Sequence, residues 1–135
     1  MKRYLAAVLF MATMATDSAA TRVYAHHSFA ATYLEAQSVT IEGELVEFLF
    51  RNPHSFVQLM VTEKDGSMVR YAVEWGGTGQ LGGQGVTRDT FKPGDHLVIS
   101  GAPGRNPDDH RVRMVSLSRP RDGFSWGRRP NEVVN

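Results

Sequence analysis

The sequence contains no cysteine. That excludes a disulfide framework, a thiolate zinc site, a catalytic thiol and a lipidated N-terminal cysteine. No charge of one sign is in excess, with 15 Lys and Arg against 14 Asp and Glu. A strongly basic nucleic-acid binder and a disordered acidic chain are therefore both disfavoured. No hydrophobic run reaches the roughly 20 residues that a bilayer core demands. At 135 residues, the chain holds enough for one domain and too little for a TIM barrel or a multidomain enzyme. Against these absences stand five histidines, and they carry most of the chemical information.

The first 25 residues read as a secretory signal peptide. Met1-Lys2-Arg3 is a positive start, Tyr4 to Ala15 is an apolar run of 12, and small residues follow. No Arg-Arg pair precedes the run, which points to general secretion and hence to a periplasmic or secreted bacterial protein. Two cleavage sites compete, one after Ala20 and one after Ala25, and the second leaves His26 as the first residue. Removing Lys2, Arg3 and Arg22 but only Asp17 leaves 12 basic and 13 acidic residues.

The body reads as short strands. Ser38–Phe50 places Val39, Ile41 and Leu45 on one face, then continues with Val46, Phe48 and Phe50 on the opposite parity. Side chains alternate along a strand, so a parity switch predicts a bulge or sharp bend. Ser55–Thr62 and Ser67–Trp75 alternate around an Asp65-Gly66 hairpin signal. His96–Gly101 and Arg111–Ser118 complete five strands. This order predicts an all-β chain, a small five-stranded OB-like antiparallel barrel behind a cleaved signal peptide. The expected organisation is a signal peptide over 1–25, an N-terminal extension over 26–37, the barrel over 38–118, and a flexible basic and aromatic tail over 119–135. Val57, Leu59, Val61, Val69, Tyr71, Val73, Leu97 and Ile99 should share the core, while Arg70 and Glu74 point outward.

Gly77 to Gly82 spells G-x-G-x-x-G, but a dinucleotide site also needs a long helix and a parallel sheet. Six of the ten residues Gly76–Gly85 are glycine. Each costs about 1 kcal/mol relative to alanine in a helix, so an irregular connection with no nucleotide site is expected. The tail interleaves Arg119, Arg121, Arg128 and Arg129 with Phe124 and Trp126. Such a pattern suits single-stranded nucleic acid, but the mature charge balance argues against it. Glu74 and Asp95 are candidate acids by chemistry alone.

The histidines lie in informative places. His26 and His27 open the mature chain if cleavage follows Ala25, and His54 sits in Asn52-Pro53-His54 between the first two strands. His110 opens the fifth strand and His96 the fourth. In an OB barrel, His54 and His110 would approach one pole and His96 the other. A free N-terminal histidine offers an amine and an imidazole nitrogen to one metal, and a further histidine completes a nitrogen-rich set suited to copper. The candidate copper ligands are His26, His27 and His54, with no catalytic residue nominated.

Several segments together, in order, resemble the exported bacterial proteins grouped as DUF6152. They are Ala25-His26-His27-Ser28-Phe29-Ala30-Ala31, Val39–Val46, Asn52-Pro53-His54, Tyr71-Ala72-Val73-Glu74, Gly85-Val86-Thr87-Arg88-Asp89 and Lys92-Pro93-Gly94-Asp95. The resemblance implies a small exported β-barrel and supplies no activity. It makes His26, His27 and His54 positions shared with the family pattern, and leaves out His96 and His110. Relatives usually carry a short helix between Trp75 and Gly85, where this chain is glycine-rich.

The first functional reading is a periplasmic β-barrel binding module that holds a copper ion, for metal handling or support of a redox enzyme. The alternative is a metal-free accessory module of the bacterial envelope that contacts a protein partner. Neither reading includes nucleic acid or stable membrane insertion after signal cleavage. An enzyme is a third reading. Copper–oxygen chemistry would need an open coordination position and a substrate surface, and the sequence displays neither.

Overall fold

A computed structural model describes residues 29–127. The expected signal peptide, His26, His27, and Arg128 and Arg129 lie outside the described residues. The chain divides into two compact units, Met1–Thr32 and Tyr33–Asn135. In the first, residues 29–32 form one helical turn. The second carries the strands.

Strand β1 spans Val39–Leu49, β2 Phe56–Thr62 and β3 Met68–Glu74. A short helix α1 covers Thr78–Gly83. Strand β4 spans His96–Pro103, β5 Arg111–Arg119 and β6 Phe124–Gly127. The sheet runs β3-β2-β1-β4-β5-β6, and β3 also pairs with β5. That contact is parallel, at Ala72 with Arg111, Val73 with Val112 and Glu74 with Arg113. It closes a five-stranded barrel, as the strand pattern predicts, and leaves β6 as an addition on the far half of β5.

The parity switch in β1 is real. Pairing with β2 shifts between Leu45 and Glu47. Ile41 and Leu45 are buried before the shift, and Phe48 packs on the core after it. The Asp-Gly turn forms as its chemistry dictates. Gly66 adopts a positive φ of 85°, and the Asp65 carboxylate accepts from the Ser67 amide at 2.9 Å. In β4 the register shifts at Gly101, where a Cβ would stand 2.0 Å from the Arg113 carbonyl oxygen. Only glycine permits that strand approach. Val57, Leu59, Val73, Leu97 and Ile99 are fully buried, while Val69 and Tyr71 are half-buried.

Two segments depart from expectation. Thr78–Gly83 is helical despite its glycines. The reason is tertiary: Leu81 and Val86 are fully buried, and the Leu81 amide donates to the Gly77 carbonyl at 3.0 Å. Burying two such side chains contributes roughly 1.5–3 kcal/mol each, enough to offset poor local propensity over six residues. The Asn52 side-chain oxygen accepts from the Thr78 amide at 2.9 Å and satisfies one exposed donor of the helix start.

Within the segment expected as a flexible tail, Phe124–Gly127 form a strand, and the residues after Gly127 lie outside the described ones. The aromatics Phe124 and Trp126 of this basic segment pack against the core instead of projecting into solvent. The Trp126 ring meets the buried Trp75 ring edge-on at 4.9 Å, and its Nε1 donates to Gln84 at 2.9 Å. Phe124 meets Phe91 at 5.4 Å in the same manner. We expect Trp126→Ala to lower unfolding free energy by ~1–2 kcal/mol in urea titration, since half of a large aromatic contact is lost. A residue in a solvated tail would change it by less than about 0.5 kcal/mol.

Candidate functional site

Glu74 ends β3 and, by strict alternation, should face water. Instead it is 8% exposed. Three side chains from separate parts of the chain converge on its carboxylate. Tyr33 donates its hydroxyl to Oε2 at 2.5 Å. Arg111 brings Nη2 to the same oxygen at 3.4 Å. His54 bonds Oε1 through Nδ1.

Local backbone contacts explain the convergence. Ser55 exchanges hydrogen bonds with the β3 exit, its amide donating to Gly76 at 3.0 Å and its carbonyl accepting from Trp75 at 2.9 Å. That extends the β2–β3 ladder by one step and holds His54 beside Glu74. A Cβ on Gly77 would meet the Pro53 carbonyl oxygen at 2.7 Å, so this close approach needs glycine. Tyr33 is fixed by a bridge to Gly104, and Leu34 donates to Pro103 at 2.9 Å. Arg111 enters from the parallel contact between β3 and β5 and lies over the Tyr33 ring, 5.7 Å from its centroid.

The electrostatics follow from this packing. Tyr33 is fully buried, and burial together with the Glu74 carboxylate pushes its phenol well above the ordinary tyrosine range. The hydroxyl therefore stays a donor. A carboxylate only accepts, so the ring nitrogen of His54 that bonds it, Nδ1, carries a proton. Nε2 is the ring nitrogen turned away from that carboxylate, on a side chain that is 37% exposed. An imidazole oriented by a carboxylate on its other nitrogen is the arrangement that prepares histidine for a metal ion.

His54 is thus the one candidate ligand placed within the described residues; His26 and His27 fall outside them. His110 lies at the same end of the barrel, next to Arg111, with its ring 5.2 Å from Tyr71. His96 opens β4 at the other end and pairs with Glu42 at 2.6 Å. This agrees with the expected separation of the two poles. Among the described residues, no group of three or more His, Asp or Glu side chains is placed to hold a metal. No described helix is long and apolar enough to cross a membrane.

Tyr33 and Arg111 were not legible as partners of Glu74. Their positions, 41 and 37 residues from it, depend on barrel closure. Asp95, the other candidate acid, is also buried but serves the β6 side, where Arg119 pairs with it at 2.8 Å.

The model of one protein family, a family of unknown function designated DUF6152, matches residues 14–113. The chain belongs to DUF6152. The match spans His54, Glu74 and Arg111 and ends within β5, before β6. No curated protein is detectably similar to this DUF6152 chain.

Proposed function

We propose that this chain is an exported copper-binding module, in which His54 Nε2 joins nitrogen donors of His26 and His27. Its role is to handle the metal or to support a redox enzyme of the cell envelope. The observation that carries the reading is the Glu74–His54 contact, which engages Nδ1 and so supports Nε2 as the nitrogen offered to a metal. A buried carboxylate held by Tyr33 and Arg111 is a firm support for that orientation. Nitrogen donors without thiolate favour copper among divalent ions. Signal cleavage after Ala25 supplies the remaining donors, the amine and imidazole of His26.

The test is a competition titration of Cu(II) into correctly processed protein, with electron paramagnetic resonance to count nitrogen ligands. His54→Ala should weaken binding at least tenfold, and His96→Ala should leave it unchanged. Affinity should fall toward pH 5, because protons compete for an amine of unperturbed pKa about 7.7–8.0 and for the imidazoles. A mature chain beginning at Thr21, or equal affinity in wild type and His54→Ala, would overturn the site. Either result would leave the metal-free accessory module as the better reading.

A further inference from the structure

A second concave site adjoins this cluster at the barrel end where β4 leaves and β5 enters. Its volume is about 310 Å³, within the range of small-ligand pockets. Ile41, Pro103 and Pro107 give it apolar walls, and the rings of Tyr71 and His110 meet edge-on at 5.2 Å along it. Arg111 and Arg105 line it too, and among the described residues no carboxylate does.

His110 is the unusual member. It has a left-handed backbone, with φ 45° and ψ 51°, and it is the one non-glycine residue with positive φ among those described. Its Nδ1 is buried with no hydrogen-bond partner. The left-handed turn is held by the backbone, the His110 amide donating to Pro107 at 3.2 Å and its carbonyl accepting from Ala72 at 3.0 Å, whereas the buried Nδ1 has no such compensation. Strain of this kind, at a residue walling a cavity, points to function.

We infer that this cavity binds a small organic carboxylate with a flat apolar body. Arg111 is the anion receptor: it directs Nη2 at Glu74, yet 36% of its side chain is exposed, and a planar guanidinium has five donors for a carboxylate fork. The proline and ring walls hold the flat body. The left-handed turn at His110 sets its imidazole against Tyr71 as one of those walls.

The test is titration of metal-free, isotope-labelled protein with benzoate, followed by backbone amide shifts. Metal-free protein keeps the outcome apart from the copper reading. Saturable shifts should centre on Gly104, His110 and Val112. Benzamide, which has the same body without the charge, should bind at least tenfold more weakly. Arg111→Gln should weaken benzoate at least tenfold, with Arg111→Lys in between, because lysine keeps the charge and loses the fork. His110→Gly should raise the melting temperature by releasing the strain and at the same time weaken benzoate. Unsaturable or scattered shifts, equal binding of benzamide, or undiminished binding by His110→Gly would each overturn the proposal. The benzamide and His110→Gly arms decide the matter should Arg111→Gln fail to fold.

Discussion

Glu74→Ala is expected to destabilise the protein by about 2 kcal/mol and to weaken copper binding 10- to 100-fold. The stability loss comes first from Tyr33. Its hydroxyl is buried and would keep no acceptor in place of Glu74 Oε2. Arg111 and His54 add less, because each is over a third exposed and water can replace the lost partner. Glu74→Gln separates the two effects. It keeps the volume and one acceptor oxygen, so much of the stability should return. A neutral amide polarises the imidazole less than a carboxylate, so copper affinity should stay low. Urea unfolding reads the first effect and Cu(II) competition the second. Wild-type copper affinity in Glu74→Ala would detach the cluster from metal binding altogether.

Asp95→Asn should cost about 3 kcal/mol, because it breaks one side of a buried ion pair. Asp95 and Arg119 have side chains 5% and 11% exposed and meet at 2.8 Å. The Arg119 guanidinium lies over the adjacent rings of Phe91 and Phe124, 5.4 and 5.5 Å from their centroids, and also donates to the Thr90 carbonyl at 2.8 Å. Asp122 still pairs with it in the variant, at an exposed position, and this bounds the loss.

A pH dependence accompanies the pair. Burial alone would raise the Asp95 pKa, but the Lys92 amide and the Arg119 guanidinium outweigh it and hold the carboxyl below its ordinary value. A depressed folded-state pKa contributes stability above the unfolded value, about 3.9, and loses it as pH falls from there toward the folded value. Wild type should therefore lose stability between pH 5 and pH 2 more steeply than Asp95→Asn. Parallel acid profiles for the two proteins would show that the pair contributes no such linkage.

Alternation and turn chemistry made the barrel legible before any tertiary contact was known. Val57, Leu59 and Val61 recur at every second position, and the Asp65-Gly66 turn determines how β2 and β3 pair. The bend in β1 could be read from the change of parity between Leu45 and Val46. These signals are local, since a strand's two faces and a turn's φ requirement involve neighbours in sequence. The glycine-rich helix and the strand at Phe124–Gly127 are not legible for the converse reason. Leu81 and Trp126 gain their stability from partners that local propensity cannot register, including Trp75 and Gln84.

The sequence by itself determined the strand pattern, the need for a bulge, and the presence of a histidine in the turn after β1. Only tertiary structure decided which residues stand beside that histidine. Closing β3 against β5 brings Arg111 to Glu74, and the bridge from Tyr33 to Gly104 brings the phenol to the same carboxylate. Glu74 becomes buried because of these three distant side chains, and not because of its place in the β3 alternation. Periodicity assigns a residue to a face of a strand, but whether that face is covered depends on elements many residues away. The candidate site is made by that covering.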